Sequence, residues 1–187
     1  MKFYESGDNR KPVIFLFPGT CCLYNSFDHV LDGLYSYFYT VAVSYDGFDP
    51  NEKTEFYSME DECEKIEQEI RTKYGGRIKA AYGCSLGGSF VSLLIQRKRI
   101  HIDHGIIGSS DMDEAGSFMA KLQSSIIVPI MYKMVHTGKL PKFTQNKINE
   151  ADESRKKLID GFVNMFGIDK GGSPWITKQS IYNQFYS

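Results

Sequence analysis

The 187-residue chain lacks the features that mark membrane, nucleic-acid-binding and disordered proteins. No stretch approaches the roughly 18 uninterrupted apolar residues of a membrane span, and the N-terminal "MKFYESGDNRK" has no apolar centre of the secretory-signal kind. The 22 lysines and arginines nearly balance the 23 aspartates and glutamates, so the formal net charge of -1 supplies no field that would attract nucleic acid. Apolar residues form 42% of the chain, as in ordinary globular proteins. These properties predict one cytoplasmic, globular chain without a membrane span or a nucleic-acid partner.

Cysteine is scarce, and its spacing fits neither a metal site nor a disulfide framework. The four cysteines show no paired metal-ligand spacing, and two of them, Cys21 and Cys22, are adjacent. We therefore expect free thiols in a reducing compartment. No metal and no organic cofactor is expected.

Short β-rich runs alternate with helical patterns in the first part of the chain. The run "VIFLF" at 13–17 is continuously apolar and stops at Pro18-Gly19, which is typical of a strand buried on both faces. Further strands are predicted at 39–46, 77–83 and 101–110, with an edge strand at "KFYE", and helices are predicted around 27–38, 58–75 and 85–99. This alternation predicts an α/β fold with a mostly parallel sheet and helices on both faces.

The pattern changes after Asp111, because residues 113–187 contain no convincing strand. Apolar residues at helical spacing predict one helix over 118–135, kinked at Pro129, and a second helix through 158–167. A helical block at this point of the chain would cover the carboxyl end of a strand. Open α/β sheets bind their ligands at that end.

The stretch "AAYGCSLGGSF" carries the chemistry of the chain, because it sets Ser85 between Gly83 and Gly87. A serine hydroxyl becomes a nucleophile when it is exposed at a sharp turn, has a base, and has donors for the developing oxyanion. The G-x-S-x-G motif alone is weak, but here it follows a predicted strand and opens a predicted helix, which is its functional context. The alternative is a plain turn or helix-capping serine. A phosphate loop is disfavoured because no Gly-Lys-Ser/Thr follows.

These segments resemble the α/β-hydrolase family over residues 11–111. "VIFLFPGT" is similar to the family's oxyanion strand and loop, "VAVSYDGFD" to its next strand and acidic turn, and "AAYGCSLGGS" to its nucleophile elbow. The helical block after "GIIGSSD" resembles the cap that many members insert after the sixth strand. The resemblance implies that residues 1–111 form the N-terminal part of the core and that residues 112–187 form a helical cap.

The resemblance also implies the roles of individual site residues. Ser85 would be the nucleophile, and the backbone N–H of Leu86 would be one oxyanion donor. The second donor would be the N–H of Thr20, with that of Cys21 as the alternative. Asp111 is a candidate triad acid, and its alternative role is to cap the following helix.

The family's triad histidine has no counterpart here. In the family, the acid and then the histidine follow the nucleophile on loops after the last two strands. None of the four histidines has that position: they are His29, His101, His104 and His136. We therefore expect an N-terminal fragment that ends within the cap. Truncation at this point leaves the strand around 102–108 as an open sheet edge, along which self-association is expected.

The predicted function is that of a serine hydrolase. It would cleave an ester or related acyl compound with an apolar portion, through an acyl-enzyme on Ser85. Two alternatives stay open. One is a noncatalytic binding module that keeps the fold, and the other is an acyltransferase that uses the same serine with an acceptor other than water.

Overall fold

A computed structural model of the chain describes residues 1–109, 117–137 and 175–186. These residues form five strands, one short 3-10 helix and five α-helices. In chain order the elements are β1 (Lys2–Ser6), β2 (Val13–Phe17), the 3-10 helix (Tyr24–Phe27), α1 (Asp28–Tyr35), β3 (Tyr39–Ser44), α2 (Met59–Tyr74), β4 (Arg77–Cys84), α3 (Leu86–Arg97), β5 (His101–Gly108), α4 (Ser117–Thr137) and α5 (Lys178–Tyr186).

The strands form one sheet in the order β1-β3-β2-β4-β5. Strand β1 runs antiparallel to β3, and the other three pairings are parallel. The prediction of a mostly parallel sheet is confirmed. The family resemblance makes the strand predicted at 101–110 the sixth of its sheet. In the described sheet this strand is β5, the fifth, and it lies at the edge.

The two faces of the sheet bury different side chains, because successive residues of a strand point to opposite faces. In β2, Phe15 and Phe17 belong to one core cluster, while Ile14 and Leu16 belong to another. The first cluster includes side chains of α2 and α3, and the second is flanked by side chains of α1. Helices therefore cover both faces, as the alternating pattern predicts.

Four predicted elements end earlier than expected. The helix predicted around 27–38 ends at Tyr35, and the strand predicted at 101–110 ends at Gly108. Strand β3 was expected to reach residue 46, but it ends at Ser44, and the Asp46 N–H donates to a carboxylate oxygen of Glu62 at 3.0 Å instead of to a neighbouring strand. The helix predicted over 85–99 ends at Arg97, because Lys98 takes a left-handed conformation with φ of 56°. A side-chain contact thus accompanies the end of the strand, and a left-handed residue ends the helix.

The described helices of the second half pack onto the same core as the sheet. Val128, Met134 and Val135 of α4, with Ile176 and Ile181 at α5, are buried in the cluster that also holds α2 and α3. Pro129 lies inside α4. The helical pattern at 158–167 and the boundary near residue 111 lie outside the described residues. Helix α5 was not predicted from the sequence.

Candidate active site

Ser85 occupies the tight turn between β4 and α3. Its backbone has φ of 53° and ψ of -123°, a conformation that residues with a side chain rarely adopt. Its N–H donates to the Gly108 carbonyl at 2.9 Å, and its own carbonyl accepts the Gly88 N–H at 2.8 Å. The Ser85 side chain is exposed. The strand, turn and helix expected around this serine are present.

The two glycines of the motif are required by close backbone approach. A β-carbon on Gly83 would lie 2.0 Å from the carbonyl oxygen of Gly87, and one on Gly87 would lie 2.0 Å from the carbonyl oxygen of Phe17. No side chain fits at such distances, since the obstructing atoms belong to the backbone. The strained geometry of Ser85 therefore depends on glycine at both positions.

The loop after β2 folds directly against this serine. A β-carbon on Gly19 would lie 3.5 Å from the Ser85 Cβ. The Cys22 N–H donates to the Gly19 carbonyl at 3.0 Å, which closes a four-residue turn with Thr20 and Cys21 at its centre. The N-terminal end of α3 and this turn thus flank the Ser85 hydroxyl from two sides.

The two candidates for the second oxyanion donor differ in their hydrogen bonding. The Cys21 N–H donates to Oε1 of Gln184 at 3.0 Å in a buried contact. Among the described residues, the Thr20 N–H has no acceptor. The Leu86 N–H is in the first turn of α3, where backbone donors have no partner within the helix. The backbone N–H groups of Thr20 and Leu86 are thus available to a ligand, whereas the Cys21 N–H is already hydrogen-bonded to Gln184.

The thiols near the serine stay protonated. All four cysteines are free, as predicted. Burial raises the pKa of Cys22 to about 12, and burial likewise raises the pKa of Cys21 well above its ordinary value. A protonated thiol is a poor nucleophile. Neither cysteine competes with the Ser85 hydroxyl near neutral pH.

The four histidines all lie within the described residues, and none hydrogen-bonds Ser85. They are His29 on α1, His101 and His104 on β5, and His136 on α4. His101 lies at the amino end of β5, with Nε2 3.1 Å from Oδ1 of Asp103. The His136 ring packs at a tilt against that of Tyr132, with 4.1 Å between the ring centroids, and its Nδ1 is 3.1 Å from the Tyr132 carbonyl oxygen. The candidate acid Asp111 lies outside the described residues.

Helix α5 contacts the site, and the sequence reasoning missed it. It docks through three polar side chains on one face, at positions i, i+3 and i+4. Ser180 Oγ accepts the Phe56 N–H at 3.2 Å, Asn183 Nδ2 donates to the Phe56 carbonyl at 2.8 Å, and Gln184 accepts from Cys21. The sequence does contain an N-cap residue for this helix, because Thr177 Oγ1 accepts the Ser180 N–H at 3.0 Å. No local signal would have predicted its contact with a loop more than 160 residues earlier, the Cys21–Gln184 separation being 163.

An apolar groove of about 650 Å³ opens beside the turn. Gly19, which directly precedes Thr20, and Cys84, which directly precedes Ser85, line one part of the groove. Most of the other lining side chains are apolar and come from β2, the 3-10 helix, α1 and β5, among them Ile14, Leu16, Phe27, Val30 and Ile106. The groove joins the surroundings of Ser85 to the α1 face of the sheet.

Two properties of the described residues bear on other kinds of site. None of their helices is both long and apolar enough to cross a membrane. Within residues 1–109, 117–137 and 175–186, no group of three or more His, Cys, Asp or Glu side chains is arranged to hold a metal ion.

Solved structures resemble this chain over almost its whole length, although no family model and no curated protein matches it. An α/β-hydrolase family protein from Desulfitobacterium hafniense superposes with a TM-score of 0.73 at 15% identity, covering 98% of this chain and 70% of its own. A study of carboxylesterases from the thaumarchaeon Nitrososphaera gargenis supplies a structure with a TM-score of 0.71 at 15% identity, covering 99% of this chain and 66% of its own. The enol-lactonase from Burkholderia xenovorans LB400 gives a TM-score of 0.69 at 13% identity, covering 98% and 68%.

Identities this low show a common fold and leave the chemistry open. The chain spans between 66% and 70% of the length of these three structures. The fold that the sequence resemblance predicted is confirmed. The chain has the α/β-hydrolase fold.

Proposed function

We propose that this chain is a serine hydrolase that cleaves an ester or related acyl compound through an acyl-enzyme on Ser85. The observation that carries the proposal is the geometry of one residue. Ser85 is exposed in a strained turn, with φ of 53°, and the Gly19 loop packs against its side chain. A protein retains such strain where the surrounding structure enforces it, and this occurs mainly at functional sites.

In the proposed reaction the Ser85 hydroxyl oxygen attacks the substrate's carbonyl carbon. The carbonyl π electrons move onto its oxygen, and the N–H groups of Leu86 and Thr20 donate to the resulting oxyanion. The tetrahedral intermediate collapses, the bond to the alcohol oxygen breaks, and the acyl group stays on Ser85. Water then attacks the acyl carbon in the same manner and releases the acid.

Each half of this reaction needs a proton acceptor that later returns the proton. A base takes the Ser85 proton during attack and gives it to the departing alcohol oxygen, and it then does the same with water. Since no histidine of the chain hydrogen-bonds Ser85, we infer that this base belongs to a part of the functional enzyme outside the described residues.

The apolar groove supports a substrate with an apolar portion. It lies beside Gly19 and Cys84, the immediate neighbours of the site. Burying an acyl chain or an apolar alcohol there would contribute roughly 0.8 kcal/mol for each methylene group. We therefore propose esters of apolar acids or alcohols as the substrate class.

The similar structures support acyl chemistry. Two of the three come from work on carboxylesterases and on an enol-lactonase. Esters and lactones share the carbonyl-oxygen bond that a nucleophilic serine attacks.

A fluorophosphonate probe tests the proposal directly. It phosphonylates a nucleophilic serine, and it does so slowly where no base is positioned, so the chain is incubated for a long time at high probe concentration before mass spectrometry locates the modified residue. We expect labelling at Ser85 in the wild type and none in Ser85→Ala. Ser89→Ala is the matched control, because Ser89 lies on the same helix and its backbone N–H, which donates to the Ser85 carbonyl, is kept in alanine. Labelling elsewhere, or equal labelling of Ser85→Ala, contradicts the proposal.

A noncatalytic binding module is the second candidate. The absence of a hydrogen bond between Ser85 and any of the four histidines favours it. Such a module would bind an apolar ester without releasing product, and a fluorophosphonate would leave Ser85 unmodified. An acyltransferase would label at Ser85 as a hydrolase does, but it would form a new ester or amide when an acceptor alcohol or amine is added.

A further inference from the structure

Gln184 of α5 joins the last described helix to the loop that flanks Ser85. Its side chain is 3% exposed, and its Oε1 accepts the N–H of the fully buried Cys21 at 3.0 Å. Cys21 is at the centre of the turn from Gly19 to Cys22, and Gly19 packs against the Ser85 side chain. Gln184 is thus one hydrogen bond away from the proposed oxyanion loop.

The conformation of Cys21 requires such an external partner. Its φ is 60°, which is the left-handed region, and Cys21 is not a glycine. In a four-residue turn, a positive φ at the third position fixes the direction of the central peptide, here that between Thr20 and Cys21. If the peptide flipped, Cys21 would move to a relaxed negative φ, and the Cys21 N–H would leave Gln184. The hydrogen bond therefore selects one of two forms of the loop.

The other end of the same amide is unsatisfied. Since the Cys21 N–H is a donor, it must face the amide oxygen, and this fixes which way the amide points. Nε2 is then buried without an acceptor among the described residues. The unpaired NH2 group is destabilising, whereas the oxygen of the same amide satisfies the buried Cys21 N–H. The one hydrogen bond of this amide is therefore made to the backbone of the turn beside Ser85.

We propose that Gln184 is a positioning residue for the reaction at Ser85. Through the Cys21 N–H it anchors the turn from Gly19 to Cys22, and an anchored turn keeps the adjoining Thr20 N–H in place beside the carbonyl oxygen of the bound substrate. The helix that carries Gln184 thereby becomes part of the oxyanion machinery. This inference rests on the proposed function of Ser85.

Two variants on α5 separate positioning from docking. Gln184→Met keeps the length of the side chain and removes both polar ends. The turn loses the acceptor of its Cys21 N–H, and the unpaired NH2 group is removed. Ser180→Ala removes the bond to the Phe56 N–H, which docks the same helix without contacting the turn. The rate of Ser85 labelling by a fluorophosphonate is measured against probe concentration for both variants and the wild type, with the melting temperature of each.

For Gln184→Met we expect the maximal labelling rate to fall by about tenfold to a hundredfold, as for a misplaced oxyanion donor. The probe concentration at half-maximal rate should stay unchanged, and the melting temperature should fall no further than in Ser180→Ala, because the lost acceptor of the Cys21 N–H is offset by removal of the unpaired NH2 group. The amide resonance of Cys21 should shift in the 15N spectrum. For Ser180→Ala we expect a lower melting temperature and an unchanged labelling rate.

Two results would overturn the inference. In one, Gln184→Met labels at the wild-type rate. In the other, both variants lose rate in proportion to their loss of stability, which makes Gln184 a docking residue only. A wild-type chain that is not labelled at Ser85 is a separate failure. It refutes the proposed function and removes the reaction that Gln184 would assist.

Discussion

A β-carbon on Gly87 would lie 2.0 Å from the carbonyl oxygen of Phe17, so the first turn of α3 rests directly on the end of β2. This contact holds the nucleophile turn against the neighbouring strand. We predict that Gly87→Ala lowers the free energy of unfolding by about 3 kcal/mol or more, because the overlap is with backbone that cannot rotate away. Urea denaturation measures this change, and labelling of Ser85 should be lost with it.

Gly33→Ala is the matched control for this prediction. Gly33 lies in α1, and a β-carbon there would meet nothing within 4 Å. Alanine is the better helix former, so this variant should be more stable than the wild type by about 0.5 to 1 kcal/mol. If Gly87→Ala is as stable as Gly33→Ala, the close contact between α3 and β2 on which this prediction rests does not exist.

A buried carboxyl makes the stability of the fold depend on pH. Glu62 is fully buried, accepts the Asp46 N–H at 3.0 Å and pairs with Lys65 at 2.7 Å. Burial raises the pKa of Glu62 from 4.5 to about 7, although the Lys65 ammonium acts in the opposite direction. Burial is also the largest single influence on Asp46, but there the hydrogen bonds and charges of Lys65 and of the N-terminal ammonium together outweigh it and lower the pKa. Of the two carboxyl groups at this site, only that of Glu62 therefore titrates near neutral pH in the folded state.

The sign of the effect follows from proton binding. Between pH 4.5 and about 7 the folded chain keeps a proton on Glu62 that the unfolded chain has lost. Its stabilising contribution is complete below pH 4.5 and is lost as the pH rises through 7, a change of about 3 kcal/mol. We predict that Glu62→Gln, compared with the wild type, gains stability between pH 5 and pH 8 in urea titrations. Glu60→Gln, an exposed position on the same helix, should show no such gain.

The edge strand β5 predicts self-association. It is one of the two edge strands of the described sheet, and its Ile106 and Ile107 are 47% and 42% exposed. An open strand edge with apolar side chains pairs readily with another strand. We expect sedimentation to show dimers or larger species at high concentration, and Ile106→Lys to shift the equilibrium toward monomer. Tyr37→Lys changes a side chain that is 71% exposed away from this edge and should have no effect. A monodisperse wild-type monomer would contradict the prediction.

The sequence predicted the elements that local chemistry determines. The run at 13–17 became β2 with the predicted bounds, and Ser85 lies between a strand and a helix because Gly83 and Gly87 permit the turn. These features depend on residues close together in the chain. The periodicity of apolar side chains and the position of glycine were enough to predict them.

Long-range polar contacts were beyond such reasoning. The bond from Cys21 to Gln184 joins residues 163 positions apart, and neither residue type signals a partner. The left-handed conformation of Cys21 was also missed, since cysteine has no particular preference for it. Both features arise from how α5 docks on the loop after β2, and docking depends on the whole fold.

The last prediction concerns the activity of the chain itself. We expect residues 1–187 to hydrolyse activated esters only slowly, because Ser85 has candidate oxyanion donors but no histidine hydrogen-bonded to it. Loss of one triad member typically lowers kcat by several powers of ten and leaves a residual rate from the oxyanion donors and binding. Measuring release of p-nitrophenol from p-nitrophenyl esters, with Ser85→Ala as the blank, gives this residual rate.

Replacement of the histidines shows whether any of them is the base. We expect His29→Ala, His101→Ala, His104→Ala and His136→Ala each to leave the Ser85-dependent rate within about twofold of the wild type, because a residue that takes no part in proton transfer costs little. His136 is the most informative of them, since it lies at the end of α4 on the side of the sheet that also carries α5. If its replacement abolishes a rapid Ser85-dependent turnover, the base lies within these residues. The expectation that the chain hydrolyses esters slowly would then be wrong. The hydrogen bond of His136 to the Tyr132 carbonyl would have to break when substrate binds.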